Sequence, residues 1–313
     1  MTIEPLITLG GLFAGTVVGL TGLGGAAIVT PMLLLLFGIP APVAVSTDLV
    51  SAALMKPVGA SVHWRQRTPH WPVVLWLSMG SVPGVLFGSW LFASIAGDPH
   101  GDATLRRLIG IVLVLAVIVT LVRMKLRSYA TARADTGPIQ FTRGRLVITM
   151  LCGLVVGILV GLTSVGSGTL IAASLLILFP AMLPSRLVGT DLVQAVPMLI
   201  VGAIAHWGIG EVSWTVVVSL LLGQIPGVWF GARISSRYDG QELRWLLLVL
   251  VGSSGLALLG ALTWLATTIT VVGVLGLGIP ILLKHYRKPA DDLATVPQNS
   301  APENSAPENP KPD

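Results

Sequence analysis

Two acids stand at matching places in this sequence. Asp48 lies in Ser46-Thr47-Asp48-Leu49-Val50 and Asp191 in Gly189-Thr190-Asp191-Leu192-Val193, each near the start of an apolar run. Placing a carboxylate inside a membrane costs at least about 2.5 kcal/mol, so such an acid normally faces a cavity or a partner. Facing a cavity, it can take up and release a proton and so couple a flux to a pH gradient. The competing reading is structural. Thr47/Asp48 and Thr190/Asp191 fall where helix N-termini are expected, and their oxygens can accept from free N–H groups. The sequence leaves both readings open.

Two glycine-rich breaks carry the second chemistry. They read Gly22-Leu-Gly-Gly25 and Ser164-Val-Gly-Ser-Gly168. A broken helix exposes unpaired N–H groups with partial positive charge, and such ends bind oxyanions without a Lys or Arg. Gly22, Gly24, Gly25, Gly166 and Gly168 are therefore candidate substrate-binding positions, with Thr21, Thr163, Ser164 and Ser167 as hydroxyl donors. Close packing between membrane helices is the alternative. It accounts well for Gly11, Gly15 and Gly19, spaced by four, and less well for the denser breaks.

Other polar residues read more plainly. Lys56 lies two turns after Asp48 near the same helix face, and Met198 or Leu199 stands in its place in the second half. It is read as snorkelling or as a structural partner of Asp48 rather than as a substrate ligand. His63-Trp64 and His206-Trp207 fall at segment ends and are read as interface anchors. Pro31, Pro83 and Pro226 are expected to kink helices. No Cys/His metal spacing, phosphate-binding loop or dinucleotide fingerprint is present, so no metal, cofactor or nucleotide is expected.

These residues must be positioned by membrane helices. Of 313 residues, 53% are hydrophobic and 11% charged, too few charges to cover a water-facing surface. The mean hydropathy is +0.85. Apolar segments run roughly over 5–23, 25–37, 43–62, 71–94 and 105–123, then 145–163, 166–180, 187–206, 212–232, 243–260 and 262–283. Most approach the ~20 residues that span a bilayer. Segments 25–37 and 166–180 are short, and each follows a break. The N-terminus carries Glu4 and no basic residue before its first apolar run, so that run is expected to be retained. The single Cys152 excludes an internal disulfide.

The chain also repeats itself. Gly11, Gly15, Gly19, Thr21 and Gly24 fall on Gly153, Gly157, Gly161, Thr163 and Gly166. His63-Trp64 answers His206-Trp207, and Val82-Pro83-Gly84 answers Ile225-Pro226-Gly227. A repeat of about 140 residues is far too long for a solenoid unit and suits half of a polytopic membrane protein.

Charge sets the expected topology. The net charge of +5 resides in short loops, which excludes a nucleic-acid surface and suits the positive-inside rule. Arg123, Lys125, Arg127, Arg133, Arg143 and Arg145 place the central loop in the cytoplasm. Counting spans outward puts Arg65/Arg67 and Arg233/Arg237/Arg244 inside. It puts the acidic loops around Asp98/Asp102 and Glu211 outside. The two halves are then inverted, and inverted repeats with interrupted helices are typical of secondary transporters.

The expected organisation is a first membrane repeat over 5–123, a basic cytoplasmic loop over 124–145 and a second repeat over 146–260. An extra helix over 262–283 and a disordered cytoplasmic tail over 284–313 follow. The tail contains Ser-Ala-Pro-Glu-Asn twice. The fold class is all-α and polytopic, with about eight to eleven membrane segments.

The motifs Gly15-x3-Gly19-Leu-Thr-Gly-Leu-Gly-Gly25, Ser46-Thr-Asp-Leu49, Lys56-x2-Gly59-Ala-x2-His63, Gly189-Thr-Asp-Leu192 and Ile225-Pro-Gly-Val228 give the chain a resemblance. It resembles the sulfite exporter TauE/SafE family of the toluene-sulfonate uptake permease group over about residues 5 to 260. The resemblance implies a multi-pass inner-membrane permease for a small sulfur-containing anion such as sulfite or an organosulfonate, coupled to protons. It departs at Ser164-Val-Gly-Ser-Gly168, where the second half lacks the first half's Gly-Leu-Gly-Gly. Expected partners are a small anionic substrate and the lipid bilayer, with homo-oligomerisation left open. An anion channel and a non-transporting accessory protein are the competing readings. An intramembrane enzyme built on His63, His206, Asp48 and Asp191 is disfavoured, because the count puts the two histidines on opposite sides.

Overall fold

The computed structural model describes residues 3–21, 26–132, 142–180, 182–209, 212–235 and 241–260. Among them it is all-helical. The first half supplies α1 (Pro5–Thr21), α2 (Ala26–Leu35), α3 (Ala41–Arg65), α4 (Trp71–Ala96) and α5 (Gly101–Ala132). The second supplies α6 (Arg143–Thr163), α7 (Thr169–Leu178), α8 (Pro184–Ile209), α9 (Trp214–Ser235) and α10 (Gln241–Leu258). Each sequence repeat thus becomes five helices in the same order. The extra segment 262–283, the tail and the middle of the basic loop lie outside the described residues. The basic stretch begins as a continuation of α5, which runs on to Ala132.

Six helices are long and apolar enough to cross a membrane: α3, α4, α5, α6, α8 and α9. By contrast α2 and α7 have 10 residues each. That is about 15 Å of helix against a hydrocarbon core of about 30 Å. The short segments 25–37 and 166–180 therefore form helices too short to cross alone.

The polarity of the molecule is inside out. Leu6, Leu75, Met79, Trp90 and Ile204 are at least 60% exposed, while Ser46, Thr47, Asp48, Ser51 and Lys56 are buried. Only an apolar solvent makes that distribution favourable. The proline-initiated helix α3 is the most polar within, and it crosses the centre of the protein against α8.

Glycine packing ties the halves together. Gly80, Gly84 and Gly88 of α4 face the backbone of Met150, Leu154 and Ile158 in α6. From the other side, Gly153, Gly157 and Gly161 face Leu77, Ser81 and Val85. The equivalent pair is α1 with α9, where Gly11 and Gly15 meet Leu220 and Gln224, and Gly223 and Gly227 meet α1. Small residues every fourth position let two backbones touch, and in lipid such packing and hydrogen bonding hold helices together. Each of these pairs joins the first half to the second.

Polar struts repeat the same exchange. The N–H of His70, at the start of α4, donates to Thr190 Oγ1 over 2.9 Å, and the N–H of Ser213, before α9, donates to Thr47 Oγ1 over 3.2 Å. Thr47 and Thr190 do cap helices, but each caps a helix of the other half. Gln194 donates to Ser81 at 2.6 Å, and Ser51 donates to Gln224 at 3.0 Å. The start of α3 lies beside the end of α8, and the start of α8 beside the end of α3, so these two equivalent helices run antiparallel.

Candidate functional site

The α6–α7 break is where the buried polar groups converge. Helix α6 ends at Thr163, and Ser164 takes the left-handed conformation at φ 59°, its N–H bonded to the Val160 carbonyl at 2.7 Å. Gly166 follows at φ +110°. A serine in that region is uncommon and needs support from its surroundings. The support is a carboxylate: Ser164 Oγ donates to Asp48 Oδ2 at 3.0 Å. Thr30 of α2 donates to the same oxygen at 2.6 Å, within the range of charge-assisted O–H···O⁻ bonds.

Lys56 completes the cluster. Its Nζ donates to Ser167 Oγ at 2.7 Å. The charges of Asp191 and Asp48 act on it. Lys56 is only 7% exposed, so it does not snorkel, and its hydrogen-bond partner is Ser167 rather than Asp48. Asp48 is 2% exposed and Asp191 7%. The ammonium thus lies at a break between helices, bonded to a serine hydroxyl. Asp48 and Lys56 come from the first half; Ser164, Ser167 and Asp191 come from the second.

The remaining expected positions fall as follows. Gly22, Gly24 and Gly25 lie outside the described residues, as does the side chain of Thr21, the last residue of α1. Thr163 is buried, but its hydroxyl donates to the Leu159 carbonyl at 2.7 Å and accepts from the Val165 N–H. It braces the end of α6. Gly168 precedes α7 and accepts from the Ala172 N–H.

The two histidines separate. His206 is fully buried: its Nε2 faces the Gly161 carbonyl at 2.8 Å and its Nδ1 the Ser46 hydroxyl at 3.1 Å. A carbonyl only accepts, so Nε2 carries the proton and Nδ1 accepts from Ser46. The interface-anchor reading therefore fails for His206, whose polar neighbours hold it inside. Its neighbour Trp207 is 64% exposed and packs edge-on against Trp214. Trp64 and Trp71 repeat that pair at the α3–α4 turn.

Thr30, Ser51 and Gln224 escaped the sequence reading. The signal for Thr30 was present: a hydroxyl inside the short apolar stretch Ala26–Leu35.

Buried ionisable groups at a helix break inside an apolar-coated bundle define a membrane transporter. The comparisons agree. The family model described as sulfite exporter TauE/SafE matches residues 7–258, and the chain belongs to that family. It is 38% identical over 255 residues to the probable membrane transporter protein YjnA of Bacillus subtilis, covering 81% of this chain and 98% of that one. It is 27% identical over 254 residues to the probable membrane transporter protein YdhB of the same organism, covering 81% and 99%. It is 24% identical over 270 residues to the probable membrane transporter protein MJ0441 of Methanocaldococcus jannaschii, covering 82% and 95%. No solved structure matches it significantly. The chain is a multi-pass membrane transporter, not an enzyme.

Proposed function

We propose that this transporter is a proton-coupled permease for a small oxyanion of the sulfite or organosulfonate class. The observation that carries the reading is the cluster of Asp48, Lys56, Ser164 and Ser167 at the α6–α7 break. The anion sits against that break and the matching Gly-rich stretch at 22–25, where N–H groups and the Ser167 hydroxyl donate to it; the Ser164 proton is given to Asp48 until that acid is itself protonated. Asp48 and Asp191 carry the coupling proton. Their two charges oppose an incoming anion, so a proton on one of them lowers the electrostatic cost of binding.

The halves are read as inverted repeats. The antiparallel run of α3 and α8 and the exchanged glycine and threonine contacts support this. A site shared by two such halves suits alternating access. The basic loops are read as cytoplasmic, and the proposal puts the chain in the inner membrane with its tail on the cytoplasmic side. Arg186 acts on His70, at the same end as Arg65 and Arg67, and adds to that basic face.

The test is flux in proteoliposomes holding the full chain, using sulfite, sulfate, thiosulfate and ethanesulfonate with and without a pH gradient. Saturable uptake of one anion that follows the gradient supports the proposal. Non-saturating, gradient-independent current identifies a channel. No flux of any of the four overturns the sulfur-anion assignment.

A further inference from the structure

Lys56 was read from sequence as structural, and its surroundings argue for more. It is the buried ammonium of the cluster, and Ser167 is its hydrogen-bond acceptor among the described residues. An ammonium has three N–H donors. Burying a charge with donors unused is costly, and native proteins normally satisfy such groups. The Ser167 oxygen accepts from Lys56, and its own O–H proton is free to point elsewhere. The two groups are therefore a bonded donor pair 2.7 Å apart, at a helix break.

We infer that Lys56 and Ser167 together form the oxyanion-binding pair of this transporter, the ammonium holding one anion oxygen and the serine hydroxyl a second. This rests on the anion-permease reading and assigns its charge contact. The arrangement is one-sided: the second half has Met198 or Leu199 where the first has Lys56, and the first break has Gly25 where the second has Ser167. The anion consequently lies nearer the second break than the first. The charges of Asp191 on α8 and Asp48 on α3 act on the same ammonium. With both acids ionised the two negative charges outnumber the one positive charge, so a proton on either acid leaves the ammonium for the anion.

The experiment compares the full-length wild type with Lys56→Gln, Lys56→Arg and Ser167→Ala. It measures anion-dependent thermal stabilisation in detergent and flux in proteoliposomes, with sulfite, sulfate, thiosulfate and ethanesulfonate as probes. Lys56→Gln is expected to raise the half-saturating concentration at least about thirtyfold, as loss of a buried charge partner does. Ser167→Ala is expected to raise it about three- to tenfold, and Lys56→Arg to retain part of the binding. If Lys56→Gln does not fold, Ser167→Ala, which removes no charge, decides the matter. A variant set that melts earlier without anion yet keeps the wild-type half-saturation overturns the inference and leaves the permease reading standing. Failure of all four anions to stabilise the wild type overturns both.

Discussion

Asp48 holds Ser164 in place from 116 residues away, through a 3.0 Å hydrogen bond to a serine whose backbone is left-handed. The acid most exposed to protonation arguments is thus also the one that shapes the break. Protonating Asp48, or replacing it, alters the geometry of the α6–α7 connection and not its charge alone.

That coupling predicts distinct outcomes for the two acids. Asp48→Asn and Asp191→Asn each remove a proton site. If both carry protons, wild-type uptake rises as the pH on the loading side falls, and each variant flattens that dependence. Asp48→Asn should also destabilise the protein by about 1 kcal/mol by weakening the Thr30 and Ser164 bonds. Two variants that keep the wild-type pH profile of flux would remove the proton-carrier role.

Ser164→Gly separates strain from bonding. It relieves the left-handed backbone but deletes the donor to Asp48, so its stability should lie within about 1 kcal/mol of wild type. Ser164→Ala keeps the strain and loses the bond, so it should be the less stable of the two. Melting temperatures in detergent give the order; an alanine variant equal to or above the glycine variant would mean that the left-handed backbone at 164 carries no strain, and an alanine variant equal to wild type would mean that Asp48 does not hold this turn.

The exchanged threonine caps should behave alike. Thr190→Val and Thr47→Val each orphan one N–H at the start of a helix in the opposite half, and each is expected to cost about 1 kcal/mol. The two sites share no partner, so the double variant should show the sum. Thermal or denaturant unfolding in detergent reads this directly.

Glycine packing predicts a sharper contrast. At Gly157 an added Cβ would press on the Ser81 backbone, 2.9 Å from its Cα, whereas at Gly59 and Gly208 it meets nothing within 4 Å. Gly157→Ala is expected to cost about 1–3 kcal/mol as α4 and α6 separate. Gly59→Ala and Gly208→Ala should be near neutral. Yield of folded protein by size-exclusion chromatography distinguishes them.

Acid should weaken one helix start. Burial, and then the Arg186 charge, hold His70 below its ordinary value of 6.5. A histidine kept neutral in the folded state contributes stability above that ordinary value and loses it as pH falls through the lower folded one. His70→Gln should therefore reduce the loss of melting temperature between pH 7 and pH 5. An unchanged acid loss would exclude His70 as its source.

Much of this was legible in one dimension. The double occurrence of the Gly-x3-Gly, Thr-Asp and Pro-Gly motifs was enough to anticipate helices in two matching sets. Asp48 and Asp191 stood out because an acid in an apolar run is costly. The snorkelling alternative for Lys56 fell because a long side chain can reach water from within a helix, and only the packing of α3 against its neighbours shows that this one does not. His206 was misjudged for the same reason: its sequence position matches His63, but Ser46 and Gly161, its partners, come from distant parts of the chain.

By itself, then, the sequence determined the solvent, the helical class and the doubled order of motifs, since hydropathy and repeats are local properties written along the chain. The tertiary structure decided which half serves which. Glycines of α4 receive α6, Thr190 caps α4, and Asp48 and Lys56 reach the break of the opposite half. Such pairings arise because a buried polar group must find a partner wherever packing brings one, and that choice is made in space, between residues that no spacing rule connects.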